Sequence, residues 1–539
     1  MLLSILDDDR GGCFRITPHD PQAVVTSRRY HAGSLVLETA WKTATANLVV
    51  DDALACEGAP TLLRRLSSDA PCDVEVRFKP AFDFSRHHAQ WHVDDTRLTA
   101  GDGVTRVALE APAAWRVRDG QAISRFETAP GKELMVSMRQ RGDTDASSGT
   151  VDDAIQSWRV ILSASDAVGC SAMAERVLSK QRLQELVSTS IAVLLGLLQR
   201  SGGIVAAPTT SLPQWPRSSR TWDYRYSWLR DASLAGIALW RARQHAAAHS
   251  LCAFLADAIN EHGPCPVMRV DGGVPPAEEE LWHLSGHQGA RPVRVGNAAA
   301  SQLQLDAPAE FIELAFTLAA HTDLPAPVQS AVTTCAEWLH EHANDRDHGI
   351  WEIRGEPRRY THSRMMASVA LRGAARLADE GKISGDASAW RPAAEGLRAA
   401  ILASHTEVLQ LHDEGGGADA ALSLMAHVGF APDSDPLQKR TLQYIVDKLD
   451  HDGLLDRYEG QPDAMPDPCG PFIFPTFWLA EALQRSGADG SRHFESAAAA
   501  ASALGLFGEV ADPRDRSPLG NYPQVQSHAA FLIAALNER

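Results

Sequence analysis

Residues 183–198 read LQELVSTSIAVLLGLL and are followed by Gly202 and Gly203. Apolar side chains recur through this stretch at the spacing of an α-helix, and a pair of glycines is typical of a helix end. The rest of the chain has the same texture, with stretches rich in Ala and Leu separated by loops rich in Gly, Pro and Trp. The C-terminal part of the chain is therefore predicted to be helical.

About twelve helices are predicted in this part. The segments are residues 183–200, 228–243, 245–262, 297–322, 327–343, 362–381, 390–405, 418–430, 437–450, 471–487, 492–504 and 523–539. Paired along the chain, these segments predict helical hairpins that close into a toroid, with the connecting loops gathered at one end. Loops on a rigid scaffold commonly carry function, so the unusual loop residues are the candidates for a site.

The N-terminal part has a different pattern, in which apolar and polar residues alternate in short runs bounded by Asp, Gly and Pro. Such runs lie at 35–41, 48–50, 74–78, 104–109 and 158–162. Runs with period two predict the strands of an antiparallel β-sandwich. The predicted organisation is a β-sandwich domain over residues 1–165, a linker over 166–182 and a helical domain over 183–539.

The composition describes a folded, acidic protein. Of its 539 residues 44% are hydrophobic and 22% are charged, and the formal net charge is -17. Such a chain is too apolar to be disordered. A negative chain without a basic run is repelled by a phosphate backbone, so nucleic acid is not expected as a partner.

Cysteine usage and hydropathy bear on the compartment. The eight cysteines form no C-x-x-C pair, which argues against a zinc ribbon or a thioredoxin-like site. They are Cys13, Cys56, Cys72, Cys170, Cys252, Cys265, Cys335 and Cys469. The first residues carry no basic n-region, and no apolar run reaches the length of about 18 to 20 residues that crosses a bilayer. We therefore expect a cytoplasmic protein without membrane association.

One loop has an unusual composition. The stretch from Arg220 to Asp231 contains four aromatic residues, three arginines and two aspartates. Aromatic faces stack on sugar rings, and Arg and Asp hydrogen-bond to hydroxyls, so the stretch is typical of a sugar pocket. The alternative is a helix N-terminus with an ordinary network of ion pairs.

Two further loops place a glutamate among apolar neighbours. Glu352 follows Gly349, Ile350 and Trp351, and Glu509 closes a similar segment near the C-terminus. Burial raises the pKa of a carboxyl, as a general acid requires, whereas a solvated carboxylate stays ionised and can act as a base. Two such carboxyls facing one bond are the minimum for glycoside hydrolysis. For any single glutamate in a chain with 68 acidic residues, the alternative is a surface charge.

The other candidates are weaker. Arg294 and Asn297 are expected either to hold a sugar hydroxyl or to form a loop that turns into a helix. His362 and Ser363 are adjacent, but no G-x-S-x-G elbow occurs, so a serine hydrolase is not favoured. No H-E-x-x-H motif occurs either, so no catalytic metal and no cofactor are predicted, and a structural ion stays an alternative.

Taken together, the loop motifs resemble those of glycoside hydrolase family 15, the family of glucoamylases, glucodextranases and bacterial trehalases. They follow the family's order over nearly the whole chain. The motifs are residues 203–213, 222–232, 292–297 with 302–306, 349–352, and 505–509 with 519–524. The resemblance implies a two-domain fold, an N-terminal antiparallel β-sandwich followed by an all-α (α/α)6 barrel.

The resemblance also implies the catalytic roles. Glu352 is expected to be the general acid, and Glu509 the general base that activates a water on the opposite face of the sugar. Inversion requires carboxyls about 6.5–9.5 Å apart and yields β-glucose from an α-glucoside. We expect a bell-shaped pH–rate profile with an acidic optimum, in which the raised pKa belongs to Glu352.

Further residues are implied for substrate binding. Arg230 and Asp231 match a pair that grips hydroxyls of the non-reducing-end glucose, and Tyr224 and Trp228 match aromatics that line the same subsite. The full set of predicted substrate-binding residues is Tyr224, Trp228, Arg230, Asp231, Arg294, Asn297 and Trp351.

The chain departs from the family's pattern at several places. Relatives usually begin with a further stretch, so we expect either that Met1 is not the true start or that the sandwich lacks its first strands. Arg364, Ser368, Arg372 and Gly373 stand where relatives carry a Lys, a Trp and an Asp-Arg pair. This change is expected to reshape the leaving-group side of the site.

The sequence therefore predicts an inverting, exo-acting α-glucosidase for a small α-glucoside or a short α-glucan, with trehalose or short oligosaccharides slightly favoured. One alternative is a non-catalytic glucoside-binding relative, motivated by the short N-terminus and the segment 364–373. Another is a sugar phosphorylase, which uses phosphate as nucleophile and needs no base such as Glu509. The linkage cleaved and the oligomeric state stay open.

Overall fold

The computed structural model describes residues 3–55, 59–140, 149–165, 167–463 and 465–537. Met1, whose status as the true start the sequence leaves open, and Cys56 lie outside the described residues. The chain divides into two compact units. The β unit comprises Met1–Ala164 and Trp282–Gly289, and the helical unit comprises Ser165–Leu281 and Ala290–Arg539.

The described residues of the β unit form twelve strands. These are β1 (Cys13–Pro18), β2 (Val24–Tyr30), β3 (Leu37–Lys42), β4 (Asn47–Leu54), β5 (Thr61–Ser68), β6 (Cys72–Lys79), β7 (Gln90–Asp94), β8 (Arg97–Gly101), β9 (Arg106–Glu110), β10 (Trp115–Arg118), β11 (Gln121–Thr128) and β12 (Leu134–Gln140). They form a four-stranded sheet in the order β1-β6-β11-β10 and an eight-stranded sheet in the order β2-β3-β4-β5-β12-β9-β8-β7. The pairings are antiparallel, as between β4 and β5, where Val50 faces Leu66.

The two sheets share one apolar core. Val76 and Phe78 of β6 are buried in the same cluster as Leu48, Val50 and Leu66 of β4 and β5. Period-two alternation gives each strand one apolar face, and two sheets that bury such faces against each other make a sandwich. The β-sandwich predicted for this part of the chain is confirmed.

One predicted strand is wrong. Residues 158–162 lie in a helix, α1 (Val151–Ser163), which begins with a capping box between Thr150 and Asp153. Val151, Ala154, Ile155 and Leu162 are buried on one face of the helix. Their spacing is helical, and the short window 158–162 contained too little of it to reveal the period.

The helical unit begins earlier than the sequence indicated, because the predicted linker 166–182 contains α2 (Ala172–Val177) and the start of α3 (Lys180–Leu197). The later helices are α4 (Leu229–Arg241), α5 (His245–His262), α6 (Asp306–Ala319), α7 (Ala326–His342), α8 (Thr361–Asp379), α9 (Ala387–Ser404), α10 (Pro436–Leu449), α11 (Ile473–Arg485), α12 (Ser491–Ala499) and α13 (Val525–Ala535), with 3-10 helices at Ala298–Ser301 and Ala420–Ala426. Each predicted helical segment overlaps at least one of these helices, and the segment 297–322 covers both the 3-10 helix Ala298–Ser301 and α6. The segment 418–430 forms a 3-10 helix, not an α-helix.

Short strands connect the helices of this unit. They are β13 (Ser227–Trp228), β14 (Val267–Met268), β15 (Glu279–Leu281), β16 (Val293–Val295), β17 (Asp450–His451), β18 (Leu454–Leu455), β19 (Val510–Ala511) and β20 (Pro518–Leu519). β13 pairs with β14 immediately before α4, and β19 pairs with β20 immediately after Glu509. These pairings fix the backbone next to the loops that carry the predicted site.

Six inner elements of the helical unit pack against one another in a closed order. The order is α4, α6, α8, the 3-10 helix Ala420–Ala426, α11, α13 and back to α4. Each of α3, α5, α7, α9, α10 and α12 packs against at least one of these six. All residues of α13 are buried, which is typical of a helix surrounded by others. None of the helices in the described part of the chain combines the length and the apolarity that a membrane crossing requires.

Candidate active site

A pocket lies at the N-terminal ends of the inner helices of the helical unit. It encloses about 800 Å³ of empty space, part of it open to solvent. Eight of the predicted site residues line it: Tyr224, Trp228, Arg230, Asp231, Asn297, Trp351, Glu352 and Glu509. The structure therefore brings together side chains that are far apart in the sequence.

The backbone of the loop before α8 sets the position of Glu352. Glu352 has φ +54°, and its N–H donates to the carbonyl oxygen of Gly349 at 3.1 Å. Gly349 has φ +66°, and a Cβ at this position would lie 2.9 Å from the ring of Tyr360. Only glycine fits such a close approach with a left-handed backbone. The tight turn holds Glu352 in the pocket wall.

Glu352 pairs with two donors from the segment before and at the start of α4. Its Oε1 accepts a hydrogen bond from Trp228 Nε1 at 2.7 Å and one from Arg230 Nη2 at 3.2 Å. The side chain of Glu352 is 23% exposed, whereas that of Arg230 is 6% exposed. The carboxyl therefore faces the open pocket while one of its oxygens is held by the wall.

Trp351 anchors the same loop. Its Nε1 donates to Asp419 Oδ1 at 2.8 Å, and its ring stacks on Phe474 at 5.8 Å between ring centroids. Burial raises the pKa of Asp419 to about 7, against the opposing effect of the bond from Trp351. A Trp held at both its ring face and its N–H gives the loop little freedom to move, so Trp351 fixes the position of Glu352.

Glu509 is the more buried of the two glutamates, with 7% of its surface exposed. Its Oε1 accepts a hydrogen bond from Tyr224 Oη at 2.8 Å, and its Oε2 accepts one from Gln214 Nε2 at 2.7 Å. Burial raises the pKa of Glu509 to about 6, although both hydrogen bonds and the charge of Arg457 favour the ionised form. A raised pKa is predicted for Glu352, whereas the burial that causes such a shift is greater at Glu509.

Two aromatic rings connect the glutamates. The rings of Tyr224 and Trp228 meet edge to face at 5.4 Å between centroids. Tyr224 donates to Glu509, and Trp228 donates to Glu352. Burial, followed by the charges of Glu509 and Glu352, raises the pKa of Tyr224 well above its ordinary value. The phenol therefore stays protonated, and Tyr224 remains a donor.

Arg230 and Asp231 sit in the first turn of α4 and are buried. Arg230 Nη1 lies 3.3 Å from Asp306 Oδ2, and Arg230 Nη2 lies 3.3 Å from Asp231 Oδ2. Within the described chain, Arg230 Nε and Asp231 Oδ2 make no hydrogen bond. Burial raises the pKa of Asp231 to about 6, opposed by Arg230. Buried polar atoms without a hydrogen bond carry a cost in desolvation free energy.

Arg294 lies behind the pocket wall and does not line it. Its Nη1 donates to the carbonyl oxygens of Ser219 at 2.9 Å and Thr221 at 2.7 Å, and its Cζ lies 4.5 Å from the ring centroid of Trp222. Trp222 does line the pocket. Arg294 therefore shapes the wall through Trp222.

Asn297 lines the pocket, but its amide is occupied. Nδ2 donates to the carbonyl oxygen of Asp223 at 3.3 Å, and Oδ1 accepts from the N–H of Ala299 at 3.0 Å. The side chain thus caps the 3-10 helix Ala298–Ser301. The loop therefore turns into a helix, as one of the two interpretations holds, and a bond from Asn297 to a sugar hydroxyl stays a prediction.

Several residues of the pocket carry no signal that the sequence reveals. Arg457 and Asp463 line it, and Asp463 Oδ2 accepts from Arg457 Nη2 at 2.7 Å and from Arg220 Nη1 at 2.6 Å. The two arginines hold the pKa of Asp463 at about 2 against its burial. Arg220 stood inside the recognised aromatic loop, but nothing in the local sequence marked Arg457 or Asp463. Gln214 was missed for the same reason.

The altered segment of α8 lies away from this pocket. Arg364 donates to Asp413 Oδ1 at 2.6 Å, Ser368 donates to a backbone carbonyl of α9, and Arg372 donates to the carbonyl oxygen of Gly429 at 2.7 Å. None of these three side chains is among the described residues that line the pocket. The residues that line the pocket therefore give no support to the expectation that these three side chains reshape the leaving-group side of the site.

One group of residues in the β unit has the composition of a cation site. His31, Glu38 and Asp51 bring their ligand atoms within 4.8 Å of one another. Arg29 pairs with Glu38 at 2.8 Å, and Arg65 pairs with Asp51 at 2.8 Å. These ion pairs already compensate both carboxylates, so the arrangement is that of a surface ion-pair network.

Comparison with known proteins identifies the family. A family model described as glycosyl hydrolases family 15 matches residues 181–536, and one described as trehalase-like, N-terminal matches residues 1–155. The chain is 30% identical to a trehalase of Mycolicibacterium smegmatis, over 98% of this chain and 85% of the relative. It is 31% identical to trehalase 2 of Sulfolobus acidocaldarius, over 99% of this chain and 93% of the relative. A solved bacterial glucoamylase complexed with acarbose matches with a TM-score of 0.73 and 13% identity, over 97% of this chain and 87% of that one.

The chain has a β-sandwich followed by helices, with two glutamates and a polar pair in one pocket, and its family match identifies it as a glycoside hydrolase. The chain belongs to glycosyl hydrolase family 15, since that family's model covers more than half of it. The match to the glucoamylase supports the fold.

Proposed function

We propose that this protein is an inverting, exo-acting α-glucosidase that hydrolyses trehalose and releases β-D-glucose. The observation that carries the proposal is the pairing of Glu352 and Glu509 in one pocket, connected by Tyr224 and Trp228. Trehalose is favoured because relatives named trehalases align over 98–99% of this chain. The substrate is then a small carbohydrate, which suits the predicted cytoplasmic location.

The helical domain, predicted over residues 183–539, is the proposed catalytic domain, and the β-sandwich is assigned to residues 1–165. We interpret the closed order of inner elements as the (α/α)6 barrel, in which six inner and six outer helical elements alternate. In such a barrel the loops before the inner helices share one end. Trp228, Glu352 and Glu509 lie in or beside such loops, which accounts for their meeting in one pocket.

In the proposed reaction Glu352 is the general acid. It transfers its proton to the glycosidic oxygen while the bond from that oxygen to the anomeric carbon breaks. Trp228 and Arg230 hold the carboxyl through Oε1. Once the proton has left, the new carboxylate lies beside the guanidinium of Arg230, which stabilises the negative charge.

Glu509 is the proposed general base. It takes a proton from a water whose oxygen attacks the anomeric carbon on the face opposite to the leaving group, so the configuration inverts. Tyr224 and Gln214 hold its two oxygens. A carboxylate with both oxygens held is oriented before the substrate arrives, which lowers the cost of aligning the water.

Binding of the terminal glucose is assigned to Arg230 and Asp231, which line the pocket. Tyr224 and Trp228 present aromatic faces to the sugar ring. Selection for a terminal glucose then follows from a pocket, as opposed to an open groove.

Proton NMR of the purified protein tests the proposal. Trehalose, maltose, isomaltose and a short dextrin are followed in parallel through their anomeric signals. We expect β-glucose to appear before α-glucose, with trehalose the fastest substrate. Turnover should vanish in Glu509→Gln and persist in Glu337→Gln, which changes the same charge on an exposed site of α7. A folded protein that releases no glucose would support the binding-only alternative, and release that depends on phosphate would support a phosphorylase.

A further inference from the structure

Gln214 occupies an unusual place beside Glu509. It is 3% exposed, and its Nε2 donates to Glu509 Oε2 at 2.7 Å. The other carboxyl oxygen of Glu509 accepts from Tyr224 Oη at 2.8 Å. Each oxygen therefore has its own donor, and the two donors come from different segments of the loop before α4.

The backbone around Gln214 is fixed on both sides. Its N–H donates to the carbonyl oxygen of Arg220, and its own carbonyl oxygen accepts from Gly470, both at 3.1 Å. The neighbouring Pro213 accepts from the N–H of Gly520 at 2.9 Å. Gly520 has φ +75°, and a Cβ there would contact both Glu509 Oε2 and Gln214 Cγ. Three chain segments thus surround the Glu509 carboxyl, and they hold the backbone of Gln214 in one position beside it.

A thiol orients the amide of Gln214. Cys469 Sγ donates to Gln214 Oε1 at 3.6 Å. Burial raises the pKa of the Cys469 thiol to about 11, so the thiol stays protonated. An ionised carboxylate only accepts hydrogen bonds, so the amide must turn Nε2 toward Glu509 and Oε1 toward the thiol. Each hydrogen bond in the series from Cys469 through Gln214 to Glu509 therefore pairs a donor with an acceptor.

We infer that Gln214 is a positioning residue for the base Glu509, and that Cys469 sets the orientation of its amide. The inference rests on the proposed function, since it assigns to Glu509 the role of base. Gln214 does not take part in proton transfer. Its amide holds Oε2, so that the remaining lone pairs of the carboxylate face the water.

Several charged or titratable groups face Glu509. They are Tyr224 and Asp231 from the region at the start of α4, and Arg457 and Cys469 from the segment before α11. After burial, the bond from Gln214 has the largest effect on the pKa of Glu509, and it lowers that pKa. Removing the bond should therefore raise the pKa further. The base would then need a higher pH to ionise.

The main variant is Gln214→Leu, and the measurement is the pH dependence of kcat/KM with trehalose. We expect the rising limb to move upward by roughly one pH unit and kcat to fall about tenfold, because a hydrogen bond to a charged group is lost. KM should change less than kcat. The matched control is Gln438→Leu, which removes a buried glutamine amide from α10, away from the pocket. Its rising limb should not move, and an unmoved limb in Gln214→Leu would overturn the inference.

The thiol is tested by two smaller changes. Cys469→Ala removes the donor that holds Oε1, so the limb should shift in the same direction as in Gln214→Leu, by a smaller amount. Cys469→Ser keeps a donor and should shift the limb less than Cys469→Ala. Equal shifts in both variants would show that the thiol does not orient the amide.

A readout without turnover separates this inference from the proposed function. Carbon-13 NMR of glutamate carboxyls, with Glu509 assigned by its absence in Glu509→Gln, follows the ionisation of Glu509 directly. An upward shift in Gln214→Leu in a protein that releases no glucose would keep the contact and refute the proposed function. Turnover with an unchanged Glu509 titration would keep the function and refute the positioning by Gln214.

Discussion

The environments of the two glutamates differ in a way that separates their roles. One carboxyl oxygen of Glu352 accepts hydrogen bonds from Trp228 and Arg230, and the side chain of Glu352 is 23% exposed. Glu509 is buried and held at both oxygens. A proton donor must reach the leaving group, whereas a base must hold a water in place. The freer carboxyl therefore suits the acid, and the fixed carboxyl suits the base.

The loss of activity on replacing the general acid should depend on how readily the leaving group departs without a proton. For Glu352→Gln we expect kcat on trehalose to fall by about 10²–10⁴-fold, because a sugar alkoxide leaves poorly without a proton. α-Glucosyl fluoride, whose fluoride leaves without protonation, should be hydrolysed far better by this variant than trehalose is. Glu509→Gln should lose both activities, since each needs the activated water. Equal losses on both substrates in Glu352→Gln would contradict its role as acid.

The pH dependence should report the buried base. Burial raises the pKa of Glu509 to about 6, and a base acts only when ionised, so kcat/KM should rise with pH and have a midpoint near 6. The sequence argument led to an acidic optimum, and the burial of Glu509 moves that expectation upward. The profile from pH 4 to 8 measures it. A midpoint near 4.5, the ordinary pKa of a glutamate, would show that burial does not control this carboxyl.

At the scale of elements, the loop before α8 depends on Gly349. In Gly349→Ala a methyl group would approach the ring of Tyr360 in a left-handed backbone. We expect a loss of about 1–3 kcal/mol in the free energy of unfolding and a clear fall in kcat, because Glu352 moves with the turn. Gly396→Ala is the control, since no heavy atom lies within 4 Å of its Cβ position in α9. It should leave kcat unchanged and stabilise the helix by about 0.5–1 kcal/mol.

Thermal unfolding and steady-state rates measure both effects for this pair of variants. Unchanged turnover in Gly349→Ala would mean that the turn adapts without moving Glu352. A loss of turnover in Gly396→Ala of similar size would mean that the rates report general stability instead of loop geometry.

The observed helices and strands also show which elements can be predicted from the sequence. Helical periodicity over long segments predicted α5 at its observed bounds, because an amphipathic run of that length has no competing interpretation. The short run 158–162 was assigned to a strand, since five residues cannot separate period two from a helical face. The predicted helix 297–322 is broken, because the Asn297 cap closes a 3-10 turn before α6 begins at Asp306.

The residues of the candidate site differ in the same way: local motifs reveal some of them, and only contacts between distant segments define the others. Motifs within one loop, such as Trp228 with Arg230 and Asp231, were visible locally. Arg457 and Asp463 were not, because their pairing with each other and with Arg220 depends on how distant loops meet. The contact of Gln214 with Glu509 joins segments 295 residues apart, and no local pattern encodes such a contact.

At the scale of the molecule, the helical unit keeps many carboxyls out of water. Burial raises the pKa of Asp231, Asp306, Glu310, Glu313, Asp347, Asp419 and Glu509. Such groups stabilise the folded state below their ordinary pKa, and the stability is lost as pH rises through the raised value. Buried histidines act in the opposite sense, because burial lowers the pKa of His362 and His528 to about 3. The overall pH dependence mixes both effects, so a single carboxyl must be isolated to measure either.

Asp347 isolates the effect of one carboxyl. It is fully buried, its Oδ2 accepts from Ser363 Oγ at 2.7 Å and from the N–H of Leu305 at 3.2 Å, and burial raises its pKa from 3.8 to about 7. Asp347→Asn keeps an oxygen for these donors and cannot ionise. The wild-type protein should lose up to about 4 kcal/mol between pH 4 and 8 through this group, and the variant should not.

The measurement is the difference in unfolding free energy between Asp347→Asn and the wild-type protein at several pH values. This difference should grow in favour of the variant as pH rises from 5 to 8, because only the wild-type carboxyl must be ionised in a buried site or hold its proton at increasing cost. Asp323→Asn, at an exposed position, is the control and should show no trend. A difference that stays constant with pH would mean that Asp347 is ionised in the fold, with a compensating cation close to it. The buried carboxyls would then carry charge, and the stability of the helical unit would depend on salt instead of on protons.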